Sequence, residues 1–189
     1  MALLGLLLLA PFGLLIALLL VSTTDGNPIF RQQRIGYRGR LFWLFKFRTM
    51  TNARNHDGNL LPDTGRITPV GRWLRRTSTD ELPQLLNVLL GQMSLVGPRP
   101  LLAEYATQLS NHERHSIRPG LTGWAQIHGR NYLNWDEKFG LDSWYTAHCS
   151  FFTDCRILWQ TLFVLIDNSP PAKSLPPCYF TEPGATPVL

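Results

Sequence analysis

From Met1 to Val21 the chain carries no charged side chain, and only Gly5, Pro11 and Gly13 interrupt the apolar run. A straight helix of that length would reach about 32 Å, enough to cross a hydrocarbon core of about 30 Å. The expectation is therefore a membrane-attached protein with a water-facing domain behind the segment. Pro11, at the midpoint, removes one backbone donor and forces a kink. Two geometries compete: a kinked span, or a helix-break-helix hairpin that dips into the bilayer and returns to the same face. Composition does not separate them. A secretory signal peptide is disfavoured, because no basic stretch precedes the long apolar run. Basic residues after the segment put the C-terminal domain on the cytoplasmic side in either geometry.

The chain of 189 residues is long enough for one domain that buries a core without disulfides. Cys149, Cys155 and Cys178 are an odd number without metal-type spacing, and read as reduced thiols. The net charge of +5 is unevenly placed: 11 of the 18 Lys and Arg residues lie between Arg31 and Arg76, where the only acids are Asp57 and Asp63. A basic half beside a hydrophobic segment points to anionic lipid headgroups and phosphorylated substrates. Nucleic acid is not expected as a partner, because the aromatics come mixed with long aliphatic runs that suit a bilayer interface better.

The chain divides into three parts: a hydrophobic segment over 1–22 broken at Pro11, a domain over 23–167, and a tail over 168–189 with six prolines and no periodicity. The predicted fold class is α+β, mainly helical, with amphipathic interfacial helices and a small globular core holding one short β-hairpin. Asp25-Gly26-Asn27-Pro28 reads as a turn. Ile29 to Ile35 and Leu41 to Arg48 read as the paired strands, joined by Gly36-Tyr37-Arg38-Gly39. In the second strand Phe45 and Phe47 alternate with Lys46 and Arg48, which places the cations on one face. Thr51 to Thr68 is a polar loop. Gly71 to Arg76 reads as an interfacial helix with Trp73 and Leu74 toward lipid and arginines toward headgroups. Further helices are expected over Leu101 to Ile117, Trp135 to Tyr145 and Thr153 to Asp167, the last capped by Thr153 or Asp154.

The chemistry concentrates in Arg75-Arg76-Thr77-Ser78-Thr79-Asp80-Glu81-Leu82-Pro83. Ser78 or Thr79 is read as the N-cap of a helix with Asp80 and Glu81 in its first turn. Leu82, Leu85, Leu86 and Leu89 form its apolar stripe, and Gly91 is its left-handed stop. Adjacent carboxylates behind paired guanidinium groups make a place for phosphate and a divalent metal. The plainer reading is that both acids only complement the helix dipole. His115, alone among polar residues, is read as structural rather than as a general base.

Thr79 to Leu85, Gly91 to Pro100 (Gly-Gln-Met-Ser-Leu-Val-Gly-Pro-Arg-Pro) and Arg118 to Gln126 (Arg-Pro-Gly-Leu-Thr-Gly-Trp-Ala-Gln) together resemble the bacterial sugar transferase family, the monotopic phosphoglycosyl transferases. Leu101 to Tyr105 and Gly129-Arg130-Asn131 are most similar to its small PglC-type members. Several long motifs in the right order, covering the chain from about Pro28 to Asp167, carry this resemblance. It implies transfer of a sugar phosphate from a UDP-sugar to polyprenyl (undecaprenyl) phosphate with release of UMP, a first membrane step of glycoconjugate, exopolysaccharide or O-antigen assembly. It implies Asp80 as nucleophile, Asp80 and Glu81 at a Mg²⁺ ion, and Lys46, Arg75, Arg99, Arg130, Asn131 and Asp142 as substrate contacts. Gln92 stands where the family commonly has an acid. The resemblance favours the re-entrant hairpin, with Ala10-Pro11 in place of a Ser-Pro break, and a bacterial inner membrane with the catalytic domain on its cytoplasmic face. A homodimer or downstream glycosyltransferases are the protein partners it suggests. A membrane-attached nucleotide-sugar hydrolase and a non-catalytic scaffold for polysaccharide assembly are the alternatives.

Overall fold

The computed structural model describes residues 2–24, 27–106, 113–129 and 132–166, with side chains of the first helix described from Leu9 onward. Helix α1 (Ala2–Val21) continues through Pro11 as one helix, where the hairpin reading expected a break. An interior proline removes one ladder bond and bends a helix, but the strong helix formers on either side let the helix resume. Among the described residues no helix is long and apolar enough to cross a membrane. Ile16 and Leu20, one turn apart, bury against the domain, while Leu14, Leu15, Leu18 and Leu19 stay exposed. The Thr24 hydroxyl donates to the Leu20 carbonyl at 2.7 Å and closes the helix end.

Strands β1 (Ile29–Ile35) and β2 (Leu41–Phe47) pair antiparallel, with Phe30 opposite Lys46 and Arg34 opposite Phe42. Arg38 (φ 54°) and Gly39 (φ 74°) turn the chain between them. The two faces of β2 pack on different clusters. Phe47 joins Ile16, Leu20 and Leu74, whereas Phe42 and Leu44 join Met93. Lys46 shares the second face, so it is the polar end of a buried row and not part of a solvated strand surface.

The polar loop after β2 contains one helical turn, α2 (Asp63–Arg66), before α3 (Pro69–Arg76). Pro69 sits in the first turn of α3, and the Thr68 hydroxyl accepts the Gly71 N–H at 2.9 Å. A Cβ on Gly71 would lie 2.1 Å from the Thr49 carbonyl oxygen, so only glycine lets α3 press against that strand extension. The lipid-facing expectation is half corrected: Trp73 is exposed, but Leu74 is fully buried in the α1 cluster. Helix α4 (Gln84–Leu89) comes next, with Gly91 at φ 71° as the expected stop.

The sheet that the sequence did not reveal is a short parallel pair, β3 (Ser94–Val96) and β4 (Gly120–Thr122). Three-residue strands carry no periodic signal, and a parallel pair joins residues far apart in sequence. Behind it lie α5 (Trp124–His128), α6 (Trp135–His148) and α7 (Phe151–Ile166). Val96, Trp124, Leu133, Leu141, Tyr145 and Ile157 form their common core. Helix α6 opens on a capping box between Asn134 and Glu137. Helix α7 starts two residues earlier than expected, because Ser150 accepts the Thr153 N–H at 3.2 Å. Asp154, expected as a cap, instead accepts the Tyr145 hydroxyl at 2.6 Å. Of the expected helix over Leu101 to Ile117, residues 107–112 lie outside the described residues; before them Ala103–Tyr105 is a 3₁₀ turn leading into helical Ala106, and after them Glu113–Ser116 is a second 3₁₀ turn. Arg114 and His115 of the second turn are buried, as the structural reading of His115 requires. Cys149 and Cys155 are free thiols. The tail from Asn168 onward, with Cys178, lies outside the described residues.

Candidate active site

Asp80 and Glu81 are held by a 3₁₀ turn, Thr79–Glu81, and not by the first turn of a long helix. Pro83 explains the difference, since its ring would crowd the Thr79 carbonyl in an α-helix, and helix proper begins only at Gln84. The turn is closed by i to i−3 bonds, from the Glu81 N–H to the Ser78 carbonyl and from the Leu82 N–H to the Thr79 carbonyl. Ser78 is left-handed at φ 55° and caps nothing with its hydroxyl. Such a conformation costs a β-carbon-bearing residue of order 1 kcal/mol and is found where a site needs a fixed backbone. Thr77 and Thr79 share a hydroxyl–hydroxyl bond of 2.7 Å beneath it.

Cations converge on this turn from three directions. Lys46 comes from β2, its ammonium 5.1 Å from the Phe30 ring centre. Arg75 comes from the end of α3, its Nε donating to the Thr49 hydroxyl at 2.8 Å. Arg99 lies beyond β3, and its Nη2 donates to Glu81 Oε1 at 2.6 Å. Burial, then the neighbouring Glu81, pushes the Asp80 carboxyl up to about 6, against the pull of Lys46, Arg75 and Arg99. Burial, with the Arg75 and Arg34 charges, lowers the Lys46 ammonium from its usual range, and Asp80 opposes that shift. The charge of Glu81, with its hydrogen bond to the guanidinium, raises Arg99.

Arg34 is the residue that sequence reasoning missed. It lies on the Lys46 face of the hairpin, donates to Gln32 Oε1 at 2.8 Å and to the Pro100 carbonyl at 3.2 Å, and is lowered by burial and then by the charge of Arg99. Period-two alternation from Phe30, the partner of Lys46, would have put it there. Four cations thus face two carboxylates, and the excess of positive charge suits a polyanion such as a diphosphate.

The support is as specific as the charges. Gly97 donates to the Thr122 carbonyl at 2.9 Å, and Gly120 to that of Pro98 at 2.9 Å. A Cβ on Gly120 would come within 2.1 Å of the Gly97 nitrogen. The two backbones therefore touch, and Arg99 leaves a segment that cannot shift. Buried Asn87 ties α4 to β2. Its Oδ1 accepts the Phe45 N–H at 3.1 Å, while its Nδ2 donates to the Trp43 carbonyl and to Gln92 Oε1, each at 2.7 Å. Gln92 is therefore a member of this structural network, on the side of Asn87.

Asp142 is placed differently from the expectation. It is buried on α6 and pairs with Arg114 at 2.8 Å, with side-chain exposures of 4% and 2%. Burial pushes it up to about 6, opposed by Arg114 and Lys138. Arg114 also donates to the Arg99 carbonyl at 2.6 Å, so Arg114 and the Arg99 backbone link Asp142 to the Asp80 cluster. Arg130 and Asn131 lie outside the described residues. Among the described residues no group of three or more His, Cys, Asp or Glu is arranged to hold a metal by itself.

The profile of a family described as bacterial sugar transferase matches residues 1–168. An uncharacterized sugar transferase of Bacillus subtilis, EpsL, is 51% identical over 152 residues, which are 79% of this chain and 75% of that protein. The UDP-glucose:undecaprenyl-phosphate glucose-1-phosphate transferase of Xanthomonas campestris is 45% identical over 85% of this chain, but over only 36% of its own length. The undecaprenyl-phosphate galactose phosphotransferase of Salmonella typhimurium is 38% identical over 76% of this chain and 34% of its own. The chain thus spans about a third of the length of these two larger relatives.

Proposed function

Because the chain belongs to the bacterial sugar transferase family, we propose that it moves a sugar phosphate from a UDP-sugar to undecaprenyl phosphate, with Asp80 as the nucleophile and UMP as the leaving group. The observation that carries this reading is the half-buried Asp80 carboxylate enclosed by Lys46, Arg75 and Arg99. The names of the Xanthomonas and Salmonella relatives support the acceptor.

In the first displacement an Asp80 oxygen forms a bond to the phosphorus that carries the sugar, and the bond from that phosphorus to the bridging oxygen of UMP breaks. UMP leaves with the electron pair, and an aspartyl-phosphosugar remains. In the second, an oxygen of undecaprenyl phosphate attacks the same phosphorus and Asp80 leaves as a carboxylate, so the product is an undecaprenyl diphosphate sugar. Two displacements replace one direct encounter of bulky anions, and the mixed anhydride retains the free energy for the second. Lys46, Arg75 and Arg99 hold the diphosphate and offset the charge that develops on its oxygens. Glu81 accepts the proton of a monoprotonated lipid phosphate.

Asp80 and Glu81 suit a Mg²⁺ ion, because they are adjacent carboxylates whose repulsion helps to lift Asp80, and Mg²⁺ completes its shell with water and substrate phosphates. When bound, the ion would withdraw charge from the diphosphate.

We place the protein on the cytoplasmic face of a bacterial inner membrane. Leu14 and Leu18 of α1 are 64% and 62% exposed, and Trp159 and Phe163 of α7 are 63% and 54% exposed. Helices that are apolar on their outer surface, with aromatics at the rim, need a lipid environment.

The test is UMP release from a panel of UDP-sugars by the detergent-solubilised chain, with and without undecaprenyl phosphate. Multiple-turnover UMP release that requires the lipid supports a transferase. Turnover without it would replace this reading by hydrolysis, and no release from any donor would leave a scaffold.

A further inference from the structure

Four consecutive carbonyls, from Pro98 to Leu101, accept hydrogen bonds from four donors in three separate segments of the chain. Pro98 accepts the Gly120 N–H at 2.9 Å, and Arg99 accepts Arg114 Nη2 at 2.6 Å. Pro100 accepts Arg34 Nη1 at 3.2 Å, and Leu101 accepts the Ile35 N–H at 2.9 Å. Pro98 and Pro100 fix their own φ and add no donor, so the strand carrying Arg99 is held almost entirely through its carbonyls.

Among these donors Arg114 is the buried charge, 2% exposed and paired with Asp142. Removing two charges from water costs about as much as their attraction returns, so such a pair is a poor device for stability alone. It is a good device for aim. Asp142 sits on α6 between the core residues Leu141 and Tyr145, so its carboxylate has a fixed origin. Arg114 spans from that carboxylate to the Arg99 carbonyl.

We propose that Asp142 and Arg114 are positioning residues: Asp142 orients the Arg114 guanidinium, Arg114 fixes the Arg99 backbone, and Arg99 is thereby held against Glu81 beside Asp80. Asp142 in this role touches neither substrate nor metal, in contrast to the direct contact implied by resemblance. The kinetic consequence rests on the reaction proposed above; the clamp itself does not.

Truncating one member to an apolar group would strand a buried charge without an acceptor or donor and destabilise the domain, so both are replaced together by apolar groups, Arg114→Met with Asp142→Leu. Asp142→Asn, which keeps an acceptor for Arg114, is the second variant should the pair fail to fold. Two readouts apply to the full chain in detergent. The first is amide hydrogen exchange over residues 97–103. Exchange is expected to quicken there and to stay unchanged in α4 and β2. The second is UMP release. kcat should fall about tenfold, with a smaller rise in KM for the donor, since the displaced group both holds the diphosphate and offsets the charge that develops in the transition state. In an Arg99→Ala background the pair replacement should cost nothing further, because the clamp has lost what it positions. Unchanged exchange over 97–103 would overturn the proposal. So would a full additional loss in the Arg99→Ala background, which would mean that Asp142 acts directly. If the parent chain releases no UMP, the reaction reading falls and the exchange result alone decides the clamp.

Discussion

Arg99 and Glu81, 18 positions apart in the chain, meet at 2.6 Å with the arginine side chain 59% exposed and the glutamate 19%. An ion pair so open to solvent adds little stability. Its consequence is placement, since the guanidinium is already beside Asp80 and still free on its outer side to receive a phosphate. Arg99→Lys keeps the charge and loses the planar fork. UMP release should fall by about tenfold or more while the melting temperature stays within a degree or two. A near-parental rate would reduce Arg99 to a surface residue.

In the proposed reaction Asp80 is the nucleophile, and its ionised form opposes folding. Incubating the chain with UDP-sugar and Mg²⁺ without lipid acceptor should add one sugar phosphate to the peptide containing Asp80, detectable by mass spectrometry. Asp80→Asn should abolish both adduct and turnover. It should also raise stability at pH 7.5 by roughly 1–2 kcal/mol in urea unfolding. This is less than the two pK units would imply, because the group is partly screened by solvent.

The sign of that effect with pH is fixed by the direction of the shift. In the folded chain Asp80 titrates at about 6, whereas its unfolded value is about 3.9. Its stabilising contribution is complete below about pH 4 and is lost as pH rises through about 6. Activity runs the other way, because the nucleophile must be ionised. In the Mg²⁺-loaded chain kcat/KM should fall toward acid pH as Asp80 is protonated, with the midpoint moved below about 6 because the bound cation favours the carboxylate. A profile that stays flat down to the acid limit of folding would remove Asp80 as the titrating nucleophile.

Asn87 is the structural counterpart. Replacing it by Leu leaves the Phe45 N–H and the Trp43 carbonyl without their partner. The expected loss is roughly 2–4 kcal/mol in urea unfolding, well beyond that of a surface change. Activity should survive at temperatures where the variant is folded, because Asn87 lies in the Gln92 network and not among the charges around Asp80.

The membrane geometry of α1 can be read in cells. A cysteine at residue 2, in a background lacking Cys149, Cys155 and Cys178, should resist a membrane-impermeant maleimide applied from outside if the segment dips in and returns. Labelling from outside would mean that α1 crosses, and the one-sided attachment would have to be dropped.

The chain itself specified its local order. Alternation over Ile29 to Phe47 and the Gly36 to Gly39 turn placed the hairpin to within one residue, because strand period and turn chemistry are both local. Thr68 with Pro69, and Asn134 with Glu137, cap two helices by equally local rules, although neither cap was among the expectations and the first helix was expected only from Gly71. The motifs around Asp80, Arg99 and Arg118 carried the family. Local rules failed where distant backbone intervenes. Leu74 turned inward because α1 offered Ile16 and Leu20 as partners, and the β3–β4 pair exists because Gly97 and Gly120 permit contact between two backbones.

The candidate site divides along the same line. Which residues are acidic or cationic is a property of composition, but Asp80, Glu81, Lys46, Arg75 and Arg99 are named through the family motifs that contain them, since spacing alone leaves the two acids as complements of a helix dipole. Which of them share one environment is a property of packing. Lys46 and Arg34 face the site because the hairpin presses that face onto α4 and Met93, and Asp80 titrates near 6 because folding removes water from it while its chain neighbour Glu81 adds repulsion. Asp142 could be identified from its motif and yet not placed. Its distance from the nucleophile, its burial and its bond to Arg114 depend on how α6 docks against the turn carrying Arg114, and no pattern within α6 encodes that contact. Burial and long-range pairing are properties of the whole chain, summed over segments that learn of one another only on folding.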